Sequence, residues 1–138
     1  MERYIFNECV YLGKGAREAL VEELKKRNFK KVLLVSDESI SKCGVLEKVE
    51  EVLVKANAKY LVFKDVVPNP TVQNVTDGVK MLKKAKADVI VAVGGGSVID
   101  TAKAISIIAT NKEHADVVSL DGAVDTKNRA FPLIALPT

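Results

Sequence analysis

Residues 91–103, VAVGGGSVIDTAK, run an apolar burst into three consecutive glycines and a serine, then into residues spaced as in a helix. Lacking Cβ atoms, Gly94, Gly95 and Gly96 let the backbone come close to an anion. The unbonded amides of a helix's first turn, with the helix dipole behind them, favour a phosphate at such a place, and a pyrophosphate fits it. Ser97 has the side chain of an N-cap. Asp100, three residues on, has the reach to answer the capping residue's amide, as Glu does in the commoner capping box. The chemistry predicted is the seating of a phosphorylated cofactor. A tight strand-to-helix turn without a ligand is the competing reading, but such turns rarely need three glycines in succession.

Two familiar phosphate signatures are missing. No Gly-Lys-Ser/Thr follows at Walker A spacing, and Lys103 sits two turns too deep, as a helix-face residue. The GxGxxG fingerprint is absent too, and the glycines follow a late strand instead of the first. In dinucleotide sites an acidic residue about 20 positions on holds the adenosine ribose. Asp121, after VVSL, is the residue that pattern selects; Asp37 is its rival, because it ends the strongly apolar KVLLVSD. A carboxylate there accepts from ribose hydroxyls and repels a 2′-phosphate, so Asp37 would favour NAD over NADP. As a bare strand-end Asp it would instead be a turn or cap residue. Asn69, held between Pro68 and Pro70, presents an amide to a ligand or simply serves its turn, and Thr71 suits the N-cap of the next helix.

Positioning these residues requires alternating strands and helices. RYIFNECVYL mixes apolar and polar residues like one or two exposed strands, an antiparallel strand or hairpin, ended by Gly13 and Gly15. AREALVEELKKRN places Ala16, Leu20, Val21 and Leu24 at helical spacing and closes on basic residues that suit a helix C-terminus. KVLLVSD reads as a strand buried on both faces. Residues 39–57 carry a helical stripe of Val45, Leu46, Val49, Val52 and Leu53 after a break near Gly44. KYLVFK is the next strand, DVVPNP a rigid loop and TVQNVTDGVKMLKKAK a helix. ADVIVAV is a fully apolar strand, SVIDTAKAISIIATN a helix, VVSL a short strand and FPLIALPT a final one.

That order predicts an α/β fold, a Rossmann-like parallel sheet with helices on both faces, because parallel strands need crossover helices. Ligands in such sheets bind beyond the carboxyl ends of the strands. The loops after Val35, Phe63, Val93 and Leu136 therefore matter, and they carry Ser36 with Asp37, Asn69, the glycines, and Pro137 with Thr138.

Bulk properties narrow the rest. A chain of 138 residues forms about one domain and buries roughly two-thirds of its unfolded surface in a single core. A net charge of +3 is too small and scattered to argue for nucleic acid, and Lys83, Lys84 and Lys86 read as a solvated helix end. With 5% aromatic residues and no Trp, base-stacking platforms are not expected. Cys9 and Cys43 lie in no CxxC or Cys/His cluster, so they read as buried or incidental thiols. MERYIFNECVYLG is too polar for a signal peptide, and no apolar run approaches the roughly 18 residues of a membrane span, so a cytoplasmic protein without a membrane partner is expected. Asn74-Val75-Thr76 matches the glycosylation pattern, which without a secretion signal carries nothing.

GGGSVIDTAK at 94–103, VVPNPT at 66–71, VSD at 35–37 and the terminal LPT together resemble the N-terminal half of the iron-containing alcohol dehydrogenases. The resemblance covers essentially the whole chain, and the pairing of GGGSxxDxxK with an upstream PNP is much more specific than a lone glycine turn. It implies that residues 1–138 form a Rossmann-like NAD-binding N-terminal domain, with the family's helical metal-binding domain absent from this chain. It assigns the pyrophosphate to Gly95, Gly96 and Ser97 with Val98 beside them, and the adenosine ribose to Asp37 in preference to Asp121. It places Asn69 and Asp100 near other parts of the cofactor and makes Thr138 the first residue of a Thr-rich loop that meets NAD. The implied reaction is reversible hydride transfer between NAD(H) and a small alcohol, diol or aldehyde, with a divalent metal, Fe²⁺ or another, as Lewis acid in the complete enzyme. A homodimer through residues 3–11 is implied as well, and RYIFNECVY has edge-strand character consistent with it.

One departure outweighs the others. The family binds its metal through one Asp and three His, whereas His114, in the loop-like NKEHADV, is the single histidine here and cannot build that site. No metal ligand and no catalytic residue is therefore expected in this chain. Ending on Pro137-Thr138, directly after an apolar strand, it reads as truncated, and the 138 residues are expected to bind NAD weakly without turnover. Glycerol dehydrogenase and dehydroquinate synthase share the nucleotide domain, but Ser97 and the intact PNP favour the alcohol dehydrogenase branch. A stand-alone, flavodoxin-like nucleotide-binding domain without catalysis is the alternative from another class.

Overall fold

A computed structural model describes residues 16–110 and 131–138. The strands expected at 3–11 and in VVSL, and the candidates Asp121, His114 and Cys9, lie outside the described residues. The elements run α1 (Ala16–Lys26), β1 (Lys31–Val35), α2 (Glu38–Lys42), α3 (Val45–Lys55), β2 (Lys59–Phe63), α4 (Val72–Ala85), β3 (Val89–Gly94), α5 (Gly96–Thr110) and β4 (Leu133–Pro137). The break expected near Gly44 falls at that residue, whose φ of 83° no continuous helix accepts, and it separates α2 from α3.

Among the described residues the four strands form one sheet in the order β2-β1-β3-β4, every neighbouring pair parallel. The chain steps from β1 outward to β2 in one direction, then crosses back over β1 to β3 and on to β4. Because parallel crossovers are right-handed, reversing direction moves the connecting helices to the other face. Helices α1 and α3 accordingly pack with Val32, Leu34, Val89, Val91, Val93, Ile134 and Leu136. Helices α4 and α5 pack with Leu33, Val35, Ile90, Ala92 and Leu133. Alternate residues of one strand thus feed opposite cores, as the pleat requires. At about 1.5–3 kcal/mol for each large apolar side chain fully buried, β1 and β3 anchor the domain from both sides.

Strand β2, at the edge of the sheet among the described residues, is less apolar in its setting than its sequence suggests, with Lys59 and Leu61 exposed. Tyr60 ties it to α3 by donating to Glu50 Oε2 at 3.4 Å, and burial, followed by the Glu50 charge, raises the phenol's pKa above its ordinary value. At the amino end of the sheet Asp88 Oδ2 accepts from the amides of Lys30 at 3.0 Å and Lys31 at 3.2 Å, which fixes the start of β1 against β3. Gly78 lets α4 approach α5: a Cβ there would run into the Ile105 side chain and lie 3.3 Å from the Phe63 ring.

Candidate functional site

The loops leaving β1 and β3 diverge. From β1 the chain turns to α2 and α3 on one face, and from β3 it enters α5 on the other, so the strand order reverses between two adjacent strands. The crevice beyond the carboxyl ends at such a switch point is where ligands bind in open parallel sheets. Side chains and backbone hold its floor together. The fully buried Ser36 donates its hydroxyl to the Val93 carbonyl at 2.8 Å and its amide to the Phe63 carbonyl at 2.9 Å. The Thr138 amide donates to the Gly94 carbonyl at 3.1 Å. The four sequence-predicted loops therefore lie at one edge, in the lateral order Asn69, Asp37, glycine turn, Thr138.

At the glycine turn, Gly94 has a φ of 153°, and a Cβ on it would sit 2.8 Å from Val98 Cγ2. The turn is therefore closed from below by a buried valine. The helix begins at Gly96, earlier than its sequence suggests, and the Gly95 carbonyl accepts from the Ile99 amide at 3.1 Å. This corrects the capping assignment. Ser97 lies inside the first turn, where its carbonyl accepts from Thr101 Oγ1 at 2.7 Å, and Asp100 is exposed further along the helix, so no Ser97–Asp100 capping box forms. The physical reason is that the turn made at Gly94 starts the helix at once and leaves the cap position to a glycine, which has no side chain to close the helix end.

The consequence is an open anion seat. The amides of Gly96, Ser97 and Val98 have no partner within the helix, and no described side chain accepts from them. The first turn carries no acidic residue to offset the dipole. A Cβ built on Gly95 or Gly96 would meet no described atom within 4 Å, so packing among the described residues does not demand these two glycines. What their bareness leaves is room for a group from outside, and the donor set fits a phosphate. Val98 contributes only its amide, since its side chain is 1% exposed and belongs to the core.

Asp37 follows β1 directly and is half-buried. Its Oδ1 accepts from the Ile40 amide at 2.8 Å, capping α2, while its second oxygen has no described partner. Cap and ligand contact are thus compatible in one carboxylate. Asn69 is exposed in the left-handed region at φ 53°, with no described side-chain partner. Thr71 caps α4, accepting from the Asn74 amide at 3.1 Å. Lys103 is exposed on α5, and Cys43 is exposed too, its thiol donating to the Ile40 carbonyl at 3.3 Å.

Asn74 is the residue that sequence reasoning passed over. It is buried, its Oδ1 accepts from the Val67 amide at 3.3 Å, and its Nδ2 donates to the Asp65 carbonyl at 2.9 Å. The nitrogen a glycan would need is therefore engaged inside the fold, holding the loop that leads to Asn69. The available signal was an amide one turn after a Pro-Asn-Pro-Thr cap. Asn74→Ala should lower stability by about 1–3 kcal/mol, at about 0.5–1.5 kcal/mol for each of the two part-buried hydrogen bonds lost. A urea midpoint unchanged from the wild type would refute this role.

Among the described residues no group of three or more His, Cys, Asp and Glu side chains is placed to hold a metal ion, and the full sequence has one histidine. The residues thus do not fit a four-ligand Asp/His metal site. No described helix is long and apolar enough to cross a membrane.

Comparison with known proteins gives a consistent picture. Lactaldehyde reductase of Escherichia coli K12 is 42% identical over 136 residues, which cover 99% of this chain and 36% of that protein. The crystal structure of a 1,3-propanediol oxidoreductase superposes with a TM-score of 0.88 at 33% identity, covering 100% of this chain and 36% of that one. An NADH-dependent butanol dehydrogenase A of Thermotoga maritima superposes with a TM-score of 0.79 at 31% identity, covering 98% and 34%. The chain thus spans about a third of the length of these relatives. The family model described as iron-containing alcohol dehydrogenase matches residues 7–138, nearly the whole sequence, and by fold and by sequence the chain belongs to the iron-containing alcohol dehydrogenase family.

Proposed function

We propose that the chain is the NAD-binding part of an iron-dependent alcohol dehydrogenase of the lactaldehyde reductase kind, which interconverts a small alcohol or diol with its aldehyde. The observation that carries this is the bare Gly95-Gly96 pair over the free amides of α5, set at the switch point beside Asp37. The amides of Gly96, Ser97 and Val98 would hold the pyrophosphate and Asp37 the adenosine ribose, with Asn69, Asp100 and Thr138 around the remainder. NAD, when bound, supplies the hydride acceptor. The family's metal finds no donor set in these residues, so in this reading the metal and the substrate pocket belong to the part of the relatives that the chain does not match. By itself the chain binds cofactor without turnover. The proposal extends to a cytoplasmic homodimer paired through residues 3–11.

Asp37→Ser tests the cofactor choice, because serine caps a helix about as well as aspartate yet carries no charge. Calorimetry should show the wild type preferring NADH to NADPH and the variant closing that gap by about tenfold, equivalent to 1.4 kcal/mol. Equal affinity of the wild type for both cofactors would sink the role given to Asp37.

A further inference from the structure

We infer that Ser36 is a positioning residue that sets the spacing between the ribose carboxylate and the pyrophosphate seat. This rests on the nucleotide-binding reading above. The residue directly precedes Asp37, and its hydroxyl reaches the carbonyl of Val93, the residue directly preceding Gly94, at 2.8 Å. The paired register ends with Val35 opposite Ala92, and the next residues on each strand are Ser36 and Val93. One step further the two chains part, each toward its own face of the sheet. Among the described residues, this is the side-chain hydrogen bond that spans the parting point.

Asp37 needs such a link. Its Oδ1 is bound to Ile40 within its own turn, which orients the carboxylate relative to α2 but not relative to α5. The glycine turn is likewise fixed to its own helix by Val98 and to β4 by Thr138. Ser36 joins the two units, and its complete burial keeps water from competing for the bond. A ligand that bridges the carboxylate and the amides feels this spacing directly, since small displacements of either contact weaken a two-point grip.

The test is a cycle of variants binding ADP, read by calorimetry, in which Asp37→Ser removes the partner that Ser36 is held to position. Ser36→Ala should weaken ADP binding by about tenfold in the wild-type background but by less than about threefold in the Asp37→Ser background, because coupled residues are not additive. Ser36→Thr, which keeps the hydroxyl, should bind ADP within about threefold of wild type. Ser36→Cys, with a similar shape and a weaker donor, should fall between them and serves if the alanine variant does not fold. Equal losses in the two Asp37 backgrounds, which a purely structural role would give, overturn the inference. So does a Ser36→Ala or Ser36→Cys protein that binds ADP as well as wild type, or a folded Ser36→Thr protein that binds no better than Ser36→Ala. Failure of the wild type to bind either ADP or NADH is a different result, which removes the nucleotide reading itself.

Discussion

Gly96→Val should reduce NADH binding at least about thirtyfold, some 2 kcal/mol, while leaving the thermal midpoint within a few degrees of wild type. The substitution is tolerable to the fold because Gly96 has no positive φ and a Cβ there touches no described atom. Valine at the first helical position breaks no hydrogen bond, as that amide has no partner in the helix. What it fills is the space through which an anion must approach the amides of Ser97 and Val98. Calorimetry and a melting curve on the same preparation separate the two effects. A variant that binds NADH within threefold of wild type would mean that the phosphate lies elsewhere.

Two positions earlier the expectation is the reverse. Gly94→Ala should cost about 2–6 kcal/mol of stability, from a backbone conformation that side chains rarely adopt and from forcing a methyl against Val98 Cγ2. Set against the 5–15 kcal/mol that holds a typical domain together, this is enough to unfold a marginal chain. The urea midpoint should drop with an unchanged slope. Adding Val98→Ala should recover only part of the loss, since it removes the Cγ contacts but leaves Val98 Cβ at 3.0 Å and the strain at φ 153°. A single variant within 1 kcal/mol of wild type would falsify the account of the turn.

The contrast between Gly94 and Gly96 shows where the sequence was informative and where it was not. Three consecutive glycines announced a phosphate turn, but their separate duties were invisible: one bends the chain, and two leave space. Serine has a strong local preference for the cap position, and at Ser97 a turn made at Gly94 overrides that preference. Strands β1 and β3 were legible because burial on both faces makes them uninterrupted apolar bursts. The exposed character of β2 was not, since KYLVFK is equally compatible with a central position. Strand order is a matter of which crossover goes which way, and no local pattern in 138 residues encodes that. The switch point, and with it the reason Ser36 matters, therefore emerged only from the sheet. Asp88 and Asn74 escaped for a related cause: their partners are backbone amides and carbonyls, which every residue possesses and no composition reveals.

The bond from Ser36 to Val93 also bears on how the protein comes into being. Its two ends are 57 residues apart, with α2, α3, β2 and α4 between them. Contacts this distant in sequence must await the loss of entropy that closes so long a loop, and they place parallel folds among the slower ones. Asp37 with its Ile40 cap and the first turn of α5 each form locally, but a chain with all its helices formed and β1 still apart from β3 has only the two halves of the proposed site and no crevice between them. During synthesis the ribosome must release at least the first turn of α5 before the seat can exist. On the proposed reading, a cofactor would meet the carboxylate and the amides together only after nearly three-quarters of these residues had emerged.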